Sequence, residues 1–319
     1  MNRNEFIEEV KKEILRTLPG DLKKDLDIQE TTVMKSNDQE HHGLTFKRGE
    51  SEAAPTIYLD EAFERFSGGE DMYALAMEIK NAYVDTIGMP EPQKVDFDFD
   101  KIRDNLTVRL LEIRRNRGFL SQTPYMTVGH GLAMVCDIKM SDGREGSWRA
   151  TVTQSMLESQ GYDKQELFLT AMENARVIDP PILVDMNQAL FTHDAENLML
   201  RDTPLEAHAD AKMYVLSNES GMLGSAALFY PEAKEHIAAV IDDGYSVIPS
   251  SVHEVLIIPD SAGIDADELS RMVKEANQSV VEAKDVLSDN VLHYDRERGQ
   301  LEPVADQRQR QEQQMEKGA

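Results

Sequence analysis

A chain of 319 residues is long enough to bury a sizeable core, as one large domain or two closely packed ones. With 59 Asp and Glu against 34 Lys and Arg, its net charge of -25 disfavours binding to DNA, RNA or an anionic membrane and favours a basic protein partner. A single cysteine, Cys136, rules out an intramolecular disulfide framework and suits a reducing compartment, so a cytoplasmic location is expected.

Phe6, Ile7, Val10, Ile14, Leu15 and Leu18 recur at helical intervals, with Glu and Lys between them, which predicts an amphipathic first helix rather than an export signal. Pro19-Gly20 ends it. Residues 44–47 and 55–59 read as two short strands, and two helices follow over 60–66 and 71–83, divided by Gly68-Gly69. Met89-Pro-Glu-Pro92 is a stiff joint. Beyond it, Phe99, Ile102, Leu106, Leu110 and Ile113 repeat every three or four residues, which predicts a long helix over about 98–117 with Arg114, Arg115 and Arg117 at its C-terminal dipole.

Leu132 to Met140 and Ser147 to Gln154 favour strand and flank turn residues, so a hairpin is expected, with Cys136 as a buried apolar group rather than a nucleophile. Asp163 opens a helix that Pro180-Pro181 terminates, and 186–210 reads as a long connection with a short strand or helix in it. A strand from Met213, a helix opened by Pro231, strands over 245–248 and 255–258, and a helix capped near Asp265 complete the main body. Strands and helices intermix without regular βαβ spacing, so the expected class is α+β, with a mixed or antiparallel sheet packed by helices. The expected division is a helix-rich part over 1–124, a second α+β part over 125–296 packed with it, and a disordered polar tail over 297–319.

The richest candidate site is Pro249-Ser-Ser-Val-His-Glu254, between two strand-like runs. As a hydrolytic triad, Ser251 would be the nucleophile, His253 its base and Glu254 the orienting acid. If all three are extended, however, Glu254 points away from His253, and a Gly-x-Ser-x-Gly elbow is absent. The leading expectation is therefore a turn in which Pro249, Ser250 and Ser251 satisfy backbone groups while His253 bonds a buried polar partner. A third reading makes Ser250, His253 and Glu254 a recognition point, joined by Asn218 if the neighbouring strands pair. Eight histidines include His41-His42, His193-Asp194 and His208-x-Asp210, but none has metal-ligand spacing. Gly129-His-Gly131 lacks the lysine and the strand-to-helix context of a phosphate cradle. No metal, cofactor or nucleotide is expected.

Pro55-Thr-Ile-Tyr-Leu59, Asp100-Lys-Ile102 with Asn105, Met213-Tyr-Val-Leu-Ser-Asn218, Pro249-Ser-Ser-Val-His-Glu254 and Val286-Leu-Ser-Asp-Asn-Val291 with Tyr294 resemble the landmarks of one bacterial family of unknown function, frequent in gut anaerobes and their mobile elements. The resemblance spans about Asn4 to Asp295. It implies a shared fold and a bacterial cytosolic context, and it transfers no activity. The leading functional expectation is a non-enzymatic interaction or regulatory protein. A hydrolase using Ser251 and His253, and an acidic DNA mimic that occupies a defence enzyme's basic groove, are the alternatives.

Overall fold

The computed structural model describes residues 1–49, 54–87, 98–141, 147–191, 195–205, 213–249 and 251–304. The chain divides into two compact units, Met1–Val95 and Asp96–Ala319. The boundary thus falls earlier than 124/125, because residues 106–112 form a strand of the second unit's sheet. Of the tail expected to be disordered over 297–319, Gln300–Pro303 is instead a strand paired with Leu292–Asp295, and the part beyond residue 304 lies outside the described residues.

In the first unit, β1 (Leu26–Lys35) and β2 (Gln39–Arg48) form a ten-residue antiparallel hairpin, and β3 (Thr56–Tyr58) pairs with β2. The hairpin turn places Asn37 and Asp38 at positive φ, which short polar side chains tolerate. α1 (Arg3–Thr17), capped by Asn2 and Glu5, buries Phe6, Val10 and Ile14 in one core with Leu44, Phe46 and Leu75. α2 (Asp60–Ser67) and α3 (Met72–Thr86) belong to the same layer, and Phe46 stacks on Tyr83 of α3 at 4.3 Å. His41 and His42 stand on β2, not in a loop, and the His41 ring bonds Asp60 at 3.1 Å.

The second unit holds two antiparallel sheets. One comprises β4 (Leu106–Glu112), β5 (Tyr125–Gly129), β6 (Leu132–Ser141) and β7 (Ser147–Thr151), with β6 pairing all three others. Residues 98–117 are therefore not a long helix. Phe99–Ile102 forms a single turn, and the chain then runs extended through β4, whose seven residues are all buried. A strand buried on both faces is apolar without strict alternation, so it can match a helical period by coincidence. The arginines after it serve no helix dipole: Arg115 bridges Glu112 at 2.7 Å and Asp289 at 2.6 Å. Gly129, His130 and Gly131 all have positive φ and form the tight turn from β5 to β6.

The other sheet runs β13 (Gln300–Pro303), β12 (Leu292–Asp295), β10 (Tyr245–Ile248), β11 (Val255–Pro259), β9 (Tyr214–Asn218) and β8 (Pro181–Asp185), every neighbour antiparallel. Its longer helices are α4 (Gln154–Gln160), α5 (Lys164–Ile178), α6 (Ala233–Ile241) and α7 (Ala266–Ser279), and the connection after β8 holds a short helix, Met186–Phe191. Asp163 caps α5 and Asp265 caps α7, each accepting backbone amides as the sequence predicts. The Ala226 to Phe229 run lies in a 3-10 helix, Gly224–Phe229. The fold class is α+β.

The four-stranded sheet separates its chemistry by face. Val108, Leu110, Cys136 and Ile138 enter the main core with Leu167, Phe168 and Ala171 of α5. The alternate positions of β4, β6 and β7 carry a buried polar network. Arg109 bonds Asp137 at 2.7 Å and Thr151 at 3.0 Å, while Asp179 accepts from Lys139 at 2.7 Å, Arg149 at 2.9 Å and Thr107 at 3.0 Å. Burial alone would push the Asp179 carboxyl up, but the Lys139 hydrogen bond and the Arg149 guanidinium outweigh it and hold it below the ordinary range. Cys136 is fully buried, as expected, and burial pushes its thiol well up. Among the described residues, no helix is long and apolar enough to cross a membrane.

Candidate functional site

Residues 251–254 are a turn between β10 and β11, not a continuation of either strand. Ser251 is buried, and its amide donates to the Glu254 carbonyl at 3.3 Å. The Ser251 Oγ donates to Glu254 Oε1 at 2.7 Å and accepts the His253 amide at 3.0 Å and the Glu254 amide at 3.4 Å. The hydroxyl thus closes a serine turn, the local hydrogen bonding expected of serine where the chain reverses.

The rest of the turn is tied to three other segments. The Val252 amide donates to the Asp285 carbonyl at 2.8 Å, and the Val252 carbonyl accepts from Ser225 Oγ at 2.8 Å. The His253 carbonyl accepts from Ser217 Oγ at 2.8 Å. Gly224 lies so close beneath that a Cβ there would collide with Ser217 Oγ, the Asn218 amide nitrogen and the His253 carbonyl oxygen. Glycine is needed here for close approach rather than for an unusual φ.

The His253 ring is a quarter exposed and engaged on both sides. Nδ1 accepts the Leu223 amide at 3.1 Å, and Nε2 faces Asp285 Oδ1 at 3.4 Å. Because a backbone N–H can only donate, Nδ1 is unprotonated and Nε2 carries the ring hydrogen. Ser251 is therefore coupled to Glu254, and His253 to Leu223 and Asp285.

Asn218 comes beside His253 through the antiparallel pairing of β9 and β11, with Leu216 opposite Val255. Its side chain is buried in its own turn, where Nδ2 donates to the Met222 carbonyl at 2.9 Å and Oδ1 accepts from Ser220 and from the Met222 amide. That turn positions Leu223, at positive φ, to present its amide to His253. Ser250 lies outside the described residues, as do His193, Asp194, His208 and Asp210. Among the described residues, no cluster of three or more His, Cys, Asp and Glu could hold a metal.

The residue after Asn218 opens onto a different feature. Glu219 lines an open cleft of about 600 Å³, with the last turn of α5 at Arg176, the Pro180-Pro181 entry to β8, the 3-10 turn Leu198–Leu200, and the start of α6 from Tyr230 to His236. Asn197 fixes one wall: its Oδ1 accepts the amides of Leu183 and Met199, and its Nδ2 donates to the Pro181 carbonyl. Tyr230 fixes another, its phenol donating to the Asp179 carbonyl at 3.4 Å while burial pushes the phenol's pKa up. Arg176, Glu219 and Glu232 are exposed at the cleft and have no ion-pair partner among the described residues. His236 Nε2 is out of solvent with no hydrogen-bond partner among them. The volume suits a small ligand, for which sites of about 300–1,000 Å³ are usual.

None of Arg176, Glu219, Glu232 or His236 stands out in the sequence, because three separate segments bring them together. Only the punctuation at Pro180-Pro181 and Pro231 marks the neighbourhood.

Fold and site together define an antiparallel α+β protein with an open, mixed-charge cleft and a heavily braced Ser-His turn beside it. The chain belongs to DUF5688, a family of unknown function, whose match covers residues 3–296. Neither a curated protein nor a solved structure matches it.

Proposed function

We propose that this is a non-enzymatic binding protein of the bacterial cytoplasm, acting through interaction or regulation, with the cleft of the second unit as its recognition site. One observation carries the reading: the Ser251 hydroxyl bonds Glu254, while His253 Nδ1 accepts the Leu223 amide and Nε2 faces Asp285, so the turn pairs no hydroxyl with the imidazole ring. The cleft, by contrast, holds charges of both signs without ion-pair partners among the described residues. The net charge of -25 favours a partner with a basic surface, and the family resemblance suits an accessory role in mobile elements.

The test is a broad hydrolase screen with esters, amides and phosphoesters, comparing wild type with His253→Gln and Ser251→Ala. No turnover by any of the three is expected. Turnover by wild type that both variants lose while still folded would establish the hydrolase instead.

A further inference from the structure

We propose that the cleft binds a short peptide with apolar side chains and free, charged termini, an inference that rests on the binding reading above and specifies its ligand. Arg176 supplies a guanidinium suited to a terminal carboxylate, and Glu219 and Glu232 supply carboxylates suited to a terminal ammonium. Much of the remaining wall is apolar, with Pro181, Ile182, Met199, Leu200, Tyr230 and Pro231 in the lining. Leu200 is four-fifths exposed, an apolar surface left open to solvent at the cleft.

Other ligand classes fit less well. An anion meets two uncompensated carboxylates in a strongly acidic protein, and a simple cation leaves Arg176 unanswered. A wholly apolar molecule would desolvate three charged groups without pairing any of them. A zwitterion answers both signs at once, and a cleft of about 600 Å³ is larger than one amino acid requires.

The experiment is calorimetric titration of the full chain with di- and tripeptides of Leu, Phe, Ala and Pro, each with free termini, N-acetylated, C-amidated or capped at both ends. Free peptides are expected to bind, and capping either end should weaken binding about tenfold or more. In Arg176→Gln, amidation should no longer matter. In the double variant Glu219→Gln and Glu232→Gln, acetylation should no longer matter. All three substitutions are at exposed positions, and circular dichroism verifies the fold of each variant. Equal binding of free and doubly capped peptides overturns the proposal, as does an absence of binding by the whole panel at millimolar concentration. Either result leaves the binding reading standing. Cleavage of a bound peptide, read by mass spectrometry, overturns that reading instead.

Discussion

At Ser251, one hydroxyl organises an entire turn, since it bonds the Glu254 carboxylate and two successive amides. Ser251→Ala leaves those groups without their partner in a buried setting and should cost about 1–3 kcal/mol, read from the urea unfolding midpoint. Gly224→Ala should be comparably damaging, because the new methyl meets not only the Ser217 hydroxyl but also the backbone of Asn218 and His253, which cannot swing aside. About 1–3 kcal/mol is expected by the same measurement. Cys136, sealed in the core with its thiol pushed up by burial and by the neighbouring Asp137 charge, should resist a thiol-titrating disulfide reagent in the native protein and react only on unfolding.

At the scale of elements, Asp179 joins α5 to the four-stranded sheet by receiving Lys139, Arg149 and Thr107. Asp179→Asn removes the charge that two partly buried cations share and should cost about 3–5 kcal/mol. The carboxyl's folded pKa lies below its unfolded one, so its contribution is complete above the unfolded value, near about 4, and is lost as the pH falls through the folded value. The stability of the wild type should therefore fall through that acidic window, and the fall should be smaller in Asp179→Asn, as thermal melts across pH would record. Helix starts were legible at Asp163 and Asp265, where a side-chain cap is local chemistry, whereas the helix Gln154–Gln160 was missed although Thr153 caps it. β4 was not legible, because α5 covers one of its faces and Phe119 and Leu120 pack on Leu111 of the other, contacts its own pattern does not announce, and Leu106, Leu110 and Ile113 happen to keep a helical interval. β1 was missed for the opposite reason, since Asp27, Gln29, Glu30 and three of its other residues are polar and the strand is held by its partner rather than by its own pattern.

For the whole molecule, the net charge of -25 means that the proposed association with a basic protein should weaken as salt rises. A pull-down at low and at moderate salt measures this directly, and capture that ignores salt would contradict the electrostatic part of the account. The landmark around His253 was visible in the sequence because its residues are contiguous. Its role was not, since Leu223 and Asp285 approach the ring from 30 residues before it and 32 after it. Whether this protein binds or reacts turns on that ring. A long-range proton–nitrogen correlation spectrum of the full chain, with His253 assigned by comparison with His253→Gln, reads its tautomer at neutral pH. The expected result is a hydrogen on Nε2, with Nδ1 unprotonated and accepting the Leu223 amide. A hydrogen on Nδ1, with Nε2 free to act as a base, would contradict the assignment of this turn as a brace.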